Sequence, residues 1–322
     1  MLLVLLLVVL GLLVYFYLLL TRPPQLAQAP AAKGVTPVFA IYGLNSNDLL
    51  KKPHGVAVDP EGNIHIADTE NHRMLVFNNR GRFQFKFGEE GREKGQILYP
   101  LNLAIGSNGN IYVTSMGLSK MQIFTSRGKF RKEVAMDRPI AVLAAKKRLF
   151  VTTPGQIWVT TLGGNVLERW GTKGRGIRQF EYPNGLALDN KDNLFVMDTN
   201  NQRVQILDKN GQLVGIKGKP PKDMNDQERL FGLGVGMTKD GKGRIYVVDS
   251  FHHAIRVFSY NGDELAELGE RGTAEGQFRY PSTIAWAGND TFVIADQGND
   301  RVQVVKLSVP EGKGTTTTTQ SR

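Results

Sequence analysis

An all-β fold, a six-bladed β-propeller preceded by one transmembrane helix, is what this sequence predicts, and three observations carry the prediction. One phrase recurs six times at intervals of about 45 residues, a period typical of propeller blades. Each copy divides into short β-branched or aromatic segments separated by turn sequences. Residues 1–20 carry no charged side chain and are almost entirely Leu, Val, Tyr and Phe.

The recurring phrase opens Pro-x-Gly-Val-Ala-Val-Asp, crosses a Gly-Asn turn and continues Ile-x-Ile-Ala-Asp-Thr-x-Asn-x-Arg-Val-x-Val-Phe. It occupies residues 53–77 in the first copy, 183–207 in the fourth, 234–258 in the fifth and 281–304 in the sixth. Weaker second and third copies begin at Pro100 and Pro139. Ile64, Ile66, Val76 and Phe77 are of the types that pack well on a pleated surface. Asp59-Pro60-Glu61-Gly62 and Asn261-Gly262 are turn sequences, with proline presetting φ and glycine supplying the positive value. A further turn, such as Asn79-Arg80-Gly81, leads into a fourth apolar segment at residues 83–88. Four strands per repeat predict a blade that buries its faces against its neighbours. No amphipathic helical period is present, which excludes helical and leucine-rich solenoids.

Closure follows from the arithmetic of the copies. The sixth ends near Val309 without a fourth segment, whereas residues 36–43, before the first copy, read as a spare strand. That strand is expected to complete the last blade, giving a propeller over residues 36–309 with no edge left open. Residues 310–322, with five consecutive threonines, are expected to form a disordered tail.

Residues 1–21 predict a membrane anchor, because twenty apolar residues in a helix span about 30 Å, the thickness of a hydrocarbon core. Arg22 and Pro23-Pro24 end the stretch, and residues 22–35 form a linker. Ala27-Gln28-Ala29 resembles a signal-peptidase site, so cleavage is the alternative. The apolar run exceeds the roughly 7–15 residues of a signal core, which favours an uncleaved anchor with the propeller outside the cytoplasm.

Composition narrows the chemistry. The 36 glycines suit a chain full of tight turns, and the absence of cysteine excludes disulfides and thiolate catalysis. A net charge of +10 favours anionic partners or surfaces. No phosphate loop, nucleophile elbow or His-Glu-x-x-His motif occurs, and no cofactor is expected.

The Pro-x-Gly-Val-Ala-Val-Asp and Asp-Thr-x-Asn-x-Arg phrases resemble NHL repeats, most specifically in copies one, four and six. The fifth copy departs by carrying Ala254 in the arginine place. The second has Ser115 and Lys120 in the Asp and Arg places, and the third shortens the loop to residues 152–155. The pairs Asp68/Arg73, Asp198/Arg203 and Asp296/Arg301 are expected to pin turns rather than to catalyse, because one active site needs no copies. The resemblance extends to a zinc-dependent lyase of peptidylhydroxyglycine, which uses histidines after the blade-opening prolines. Here those places hold His54, Leu101, Ile140, Asn184, Leu233 and Ser282. One histidine falls short of the three protein ligands of catalytic zinc, so the resemblance does not carry the lyase site over, and the sequence leans against an enzyme. His65 has no partner in strand register, and His252-His253 are expected to face solvent.

Binding is expected where the inner strands begin. His54, Asn102, Asn184, Ser282 and Thr283 form the candidate polar mouth of the channel, with Leu101, Ile140 and Leu233 as an apolar arc. Lys146, Lys147 and Arg148 form a candidate basic rim. The resulting reading is a membrane-tethered, extracytoplasmic binding or scaffold module for a protein or peptide, or for an anionic envelope polymer or lipid headgroup. Nucleic acid is not expected, because the NHL propellers that bind RNA look cytoplasmic and carry other domains. A lyase or hydrolase with a channel-mouth site and an envelope sensor domain are the alternatives.

Overall fold

The computed structural model describes residues 33–220 and 230–310. These residues form six four-stranded antiparallel sheets, five of them with their strands in sequential order. In the first blade the strands are Val56–Val58, Ile64–Asp68, Arg73–Phe77 and Phe83–Phe87, from innermost to outermost. The inner strands of the next four blades are Pro100–Ile105, Val142–Ala144, Pro183–Leu188 and Gly234–Lys239. Ile284–Trp286 begins the sixth.

The sixth sheet takes its outermost strand from the other end of the described chain. Val35–Ile41 lies antiparallel to Arg301–Leu307, with Val35 opposite Leu307 and Ile41 opposite Val302. The strand therefore starts one residue inside the expected linker and stops before Gly43. Gly43–Asn45 instead pairs with Asp48–Leu49 in a short hairpin leading into the first blade.

The core is distributed between blades rather than within any one of them. The described residues contain six apolar clusters, one at each seam between neighbouring sheets. Met74, Val76 and Phe87 of the first blade meet Leu103, Val113 and Phe124 of the second, with the Phe87 and Phe124 rings 4.9 Å apart. Burying each such side chain contributes about 1.5–3 kcal/mol. A blade alone would lose this on both faces, which is why the ring must close.

Loops between blades are held by a repeated glutamine. Gln96 Oε1 accepts from Glu93 N at 2.9 Å, Gln179 Oε1 from Gly176 N at 2.8 Å, and Gln277 Oε1 from Ala274 N at 3.3 Å. Residues 1–21, the first part of the linker and residues 311–322 lie outside the described residues, so the expected anchor and most of the tail do too. Among the described residues no helix is long and apolar enough to cross a membrane.

Candidate functional site

Two mouths follow from the strand directions. All inner strands start at one end of the channel, here the entry mouth, and turn into their second strands at the other, the exit mouth.

The Asp/Arg pairs lie on the entry side. Arg73 Nε donates to Asp68 at 2.8 Å, Arg203 Nε to Asp198 at 3.0 Å and Arg301 Nε to Asp296 at 2.8 Å. They hold more than a turn. The second oxygen of each aspartate accepts the backbone N–H of Lys51, Glu181 or Arg279, fixing the chain as it enters the blade. Arg203 Nη2 also reaches the Gly176 and Gln179 carbonyls at 2.6 and 3.0 Å, clamping the loop from the previous blade. Burial pushes the Asp68, Asp198 and Asp296 carboxyls above the ordinary value, against the pull of these donors. The fifth blade substitutes for its missing arginine: Asp249 accepts from Gly232 N, Leu233 N and His252 Nδ1. Arg256 instead pairs with Glu264.

Side-chain hydroxyls stitch adjacent blades together around the same mouth. Thr69 Oγ1 donates to the Pro100 carbonyl at 2.8 Å, Thr114 Oγ1 to Ile140 at 2.7 Å and Thr152 Oγ1 to Pro183 at 2.7 Å. Two of the expected mouth residues belong to this ring. Ser282 Oγ donates to the His54 carbonyl at 2.9 Å, and His54 Nδ1 lies 2.9 Å from the Leu101 carbonyl, which it must therefore meet as N–H. Desolvation holds the His54 imidazole down at a pKa of about 4, so it is neutral. The other three, Asn102, Asn184 and Thr283, line the channel itself. Leu101, Ile140 and Leu233 do not line it; Ile140 is buried and Leu233 packs between the fifth and sixth blades.

One histidine expectation is corrected. His253 is buried, not solvent-facing: its Nδ1 accepts Tyr280 N at 3.0 Å and its ring stands edge-on to Tyr280. His72 does the same for Tyr99 in the first blade. Both take a left-handed conformation after the turn, which swings the side chain inward. His65 stands opposite Ala57 and Val76 in register, with no polar partner there, and meets Asp59 at 3.0 Å across the turn instead.

These two tyrosines and a third, Tyr182, were not singled out from the sequence. Tyr99, Tyr182 and Tyr280 each precede a blade-opening proline, on the second, fourth and sixth blades, at 41%, 36% and 41% exposure. All three have φ near +50°, costly for a bulky residue. Lys52 and Arg138 occupy the equivalent places of the first and third blades. The Tyr-Pro dipeptide at three blade openings was the available signal.

At the exit mouth, the turn after the third inner strand carries Lys146 and Lys147, and Arg148 opens the strand that follows. Ser107 Oγ donates to the Lys146 carbonyl at 2.9 Å, and the Arg148 guanidinium lies 5.0 Å from the Phe150 ring centre. The expected basic rim and the expected polar mouth are thus on opposite faces. Among the described residues no three metal-ligating side chains converge.

A ring of six such sheets, three of them carrying the Asp/Arg clamp, is a six-bladed β-propeller. The NHL repeat model matches residues 50–77 and 180–207, the first and fourth copies. The chain is 28% identical over 176 residues to Protein brain tumor of Drosophila melanogaster, covering 55% of this chain and 13% of that protein. It is 38% identical over 65 residues to B-box type zinc finger protein ncl-1 of Caenorhabditis elegans, covering 20% and 8% respectively. The chain therefore spans only a small part of the length of these relatives. Among solved structures, virginiamycin B lyase from Staphylococcus aureus superposes with a TM-score of 0.60 at 16% identity, over 84% of this chain and 99% of the other. That likeness is one of fold.

Proposed function

We propose that the propeller is a binding or scaffold module that presents its entry mouth to a protein or peptide, with residues 1–20 tethering it outside the cytoplasm. The observation that carries the reading is the set of exposed tyrosines ahead of the second, fourth and sixth blades, interleaved with Lys52 and Arg138. Tyrosine and arginine dominate the energetics of protein interfaces, because they bury large surface while keeping a polar tip. Tyr99 and Tyr280 are backed by buried histidines, so little side-chain freedom is lost on docking.

The test is capture of partners from membrane extracts by the full chain and by Tyr99→Ala/Tyr182→Ala/Tyr280→Ala. The triple variant should lose its partners while its melting temperature stays near that of the parent. If capture survives there but is abolished by Lys146→Glu/Lys147→Glu/Arg148→Glu, the exit-side basic rim is the surface, and an anionic envelope ligand replaces the peptide. Membrane attachment is tested separately, by flotation with lipid and by the mass of the mature N-terminus. A chain starting near Pro30 would mean release rather than tethering.

A further inference from the structure

The channel has chemistry of its own, distinct from the entry-mouth surface. Its inner strands enclose a bore of about 220 Å³, and none of the residues lining it carries a charge. Such a lining disfavours an ion, whose desolvation nothing in the bore would offset. Apart from Thr238, its polar side chains gather at one end. The Asn102 and Asn184 amides make no hydrogen bond within the described residues, and Thr283 Oγ1 is buried without a partner although the residue is only 6% exposed. A buried hydroxyl left unsatisfied costs about 1–3 kcal/mol, so its persistence needs an account.

The exit end is wider and mainly apolar, with Asp59 and Ser107 among its lining residues. Val58, Ile105 and Trp286 line both the bore and a vestibule of about 400 Å³ bounded by the turns of the sixth, first and second blades. Trp286 is 36% exposed there, its Nε1 donating to Asn289 O at 2.7 Å, which leaves the indole body for contact. Toward the entry end the inner strands close to backbone contact. A Cβ on Gly55 would meet Asn102 Cα at 2.9 Å, and one on Gly236 would meet Thr283 Cα at 2.6 Å. Thr283 stands three positions before Trp286, about 10 Å at the rise of extended chain.

We infer that the bore binds an uncharged amphipathic molecule about 10 Å long, entering from the exit mouth. Its apolar body lies against Val58, Ile105 and Trp286, and its hydrogen-bonding head sits among Asn102, Thr283 and Asn184. A primary amide or alcohol head supplies the donor and acceptor these groups lack, whereas a carboxylate brings a charge with no counter-ion.

Calorimetric titration of the full chain with octanamide, octanol and octanoate tests this. Octanamide or octanol should bind saturably, one per chain, and octanoate at least tenfold more weakly. Asn102→Leu/Thr283→Val, which keeps the branched shapes and removes two of the three polar side chains, should weaken octanamide about tenfold, the loss expected from one or two hydrogen bonds. Should that variant fail to fold, Trp286→Ala at the surface decides, again with about a tenfold loss. Absence of saturation, equal binding of octanoate, or indifference to the substitutions would overturn the inference. The Tyr99/Tyr182/Tyr280 variant should bind octanamide normally, so this site and the entry-mouth surface fail or stand separately.

Discussion

Replacing Arg203 with leucine is the sharpest test of how the blades are clamped. Arg203 is 4% exposed and joins Asp198 at 3.0 Å to two loop carbonyls, of Gly176 and Gln179. Leucine leaves the fully buried Asp198 with Glu181 N, Asn201 and Gln205 as donors and no cation, and takes one donor from each carbonyl, which keep Gln179 N and Gln205 Nε2 respectively. Breaking a buried pair this way costs about 3–5 kcal/mol. The lower end is expected here, because Asp249 persists in the fifth blade with Ala254 in the arginine place. At about 2–4 °C per kcal/mol, the melting temperature should fall by roughly 6–12 °C. Equilibrium urea unfolding, followed through the buried Trp170 at the seam of the third and fourth blades, measures the change. Adding Asp198→Asn should restore part of the loss by removing the uncompensated charge. A cost below about 1 kcal/mol, or strict additivity of the two changes, would refute the clamp.

Three further outcomes are expected. Removing residues 1–45 strips the partner strand from Arg301–Leu307, and the protein should aggregate or melt far earlier than one starting at Lys33; equal melting would defeat this. His54 is held neutral in the fold at a pKa of about 4, below the usual 6.5, so the unfolded chain binds the extra proton between those values. Its contribution is whole above pH 6.5 and falls on acidification, by on the order of 3 kcal/mol at pH 4. His54→Asn, which keeps a donor toward Leu101, should show a shallower loss over that window in urea titrations; parallel curves would remove the assignment. Gly185→Ala drives a Cβ into the Val235 carbonyl and should cost about 1–3 kcal/mol by calorimetry, with no cost if the fourth and fifth inner strands were not in contact.

Much of the fold was legible because a propeller writes its period into the chain. The Asp and Arg places, the turns and the shortage of a fourth segment after Val309 are local signals, each repeated. What escaped was everything that depends on the ring. The His54 and Ser282 side chains read as channel lining, but they reach the neighbouring blade, and no single-copy pattern encodes a neighbour 47 or 228 residues away. His253 was misplaced because a left-handed residue reverses the alternation that strand reasoning assumes. The pairing of His65 with Asp59 lies across a turn, whereas ladder register puts His65 opposite Ala57. Trp286 gains meaning only when the ends of several inner strands are brought to one mouth.

The strand that seals the sixth blade sets an order on the life of the chain. Val35 leaves the ribosome among the first described residues, and its partner Leu307 among the last. At about 5–20 residues per second the wait is on the order of tens of seconds. Joining such distant ends adds little to the equilibrium cost, since loop-closure entropy grows only with the logarithm of length. The burden is one of timing. Through synthesis the nascent propeller carries an open seam at each end, an unpaired strand before the first blade and unfinished sheets behind it, and only completion of the final strands lets the ring shut.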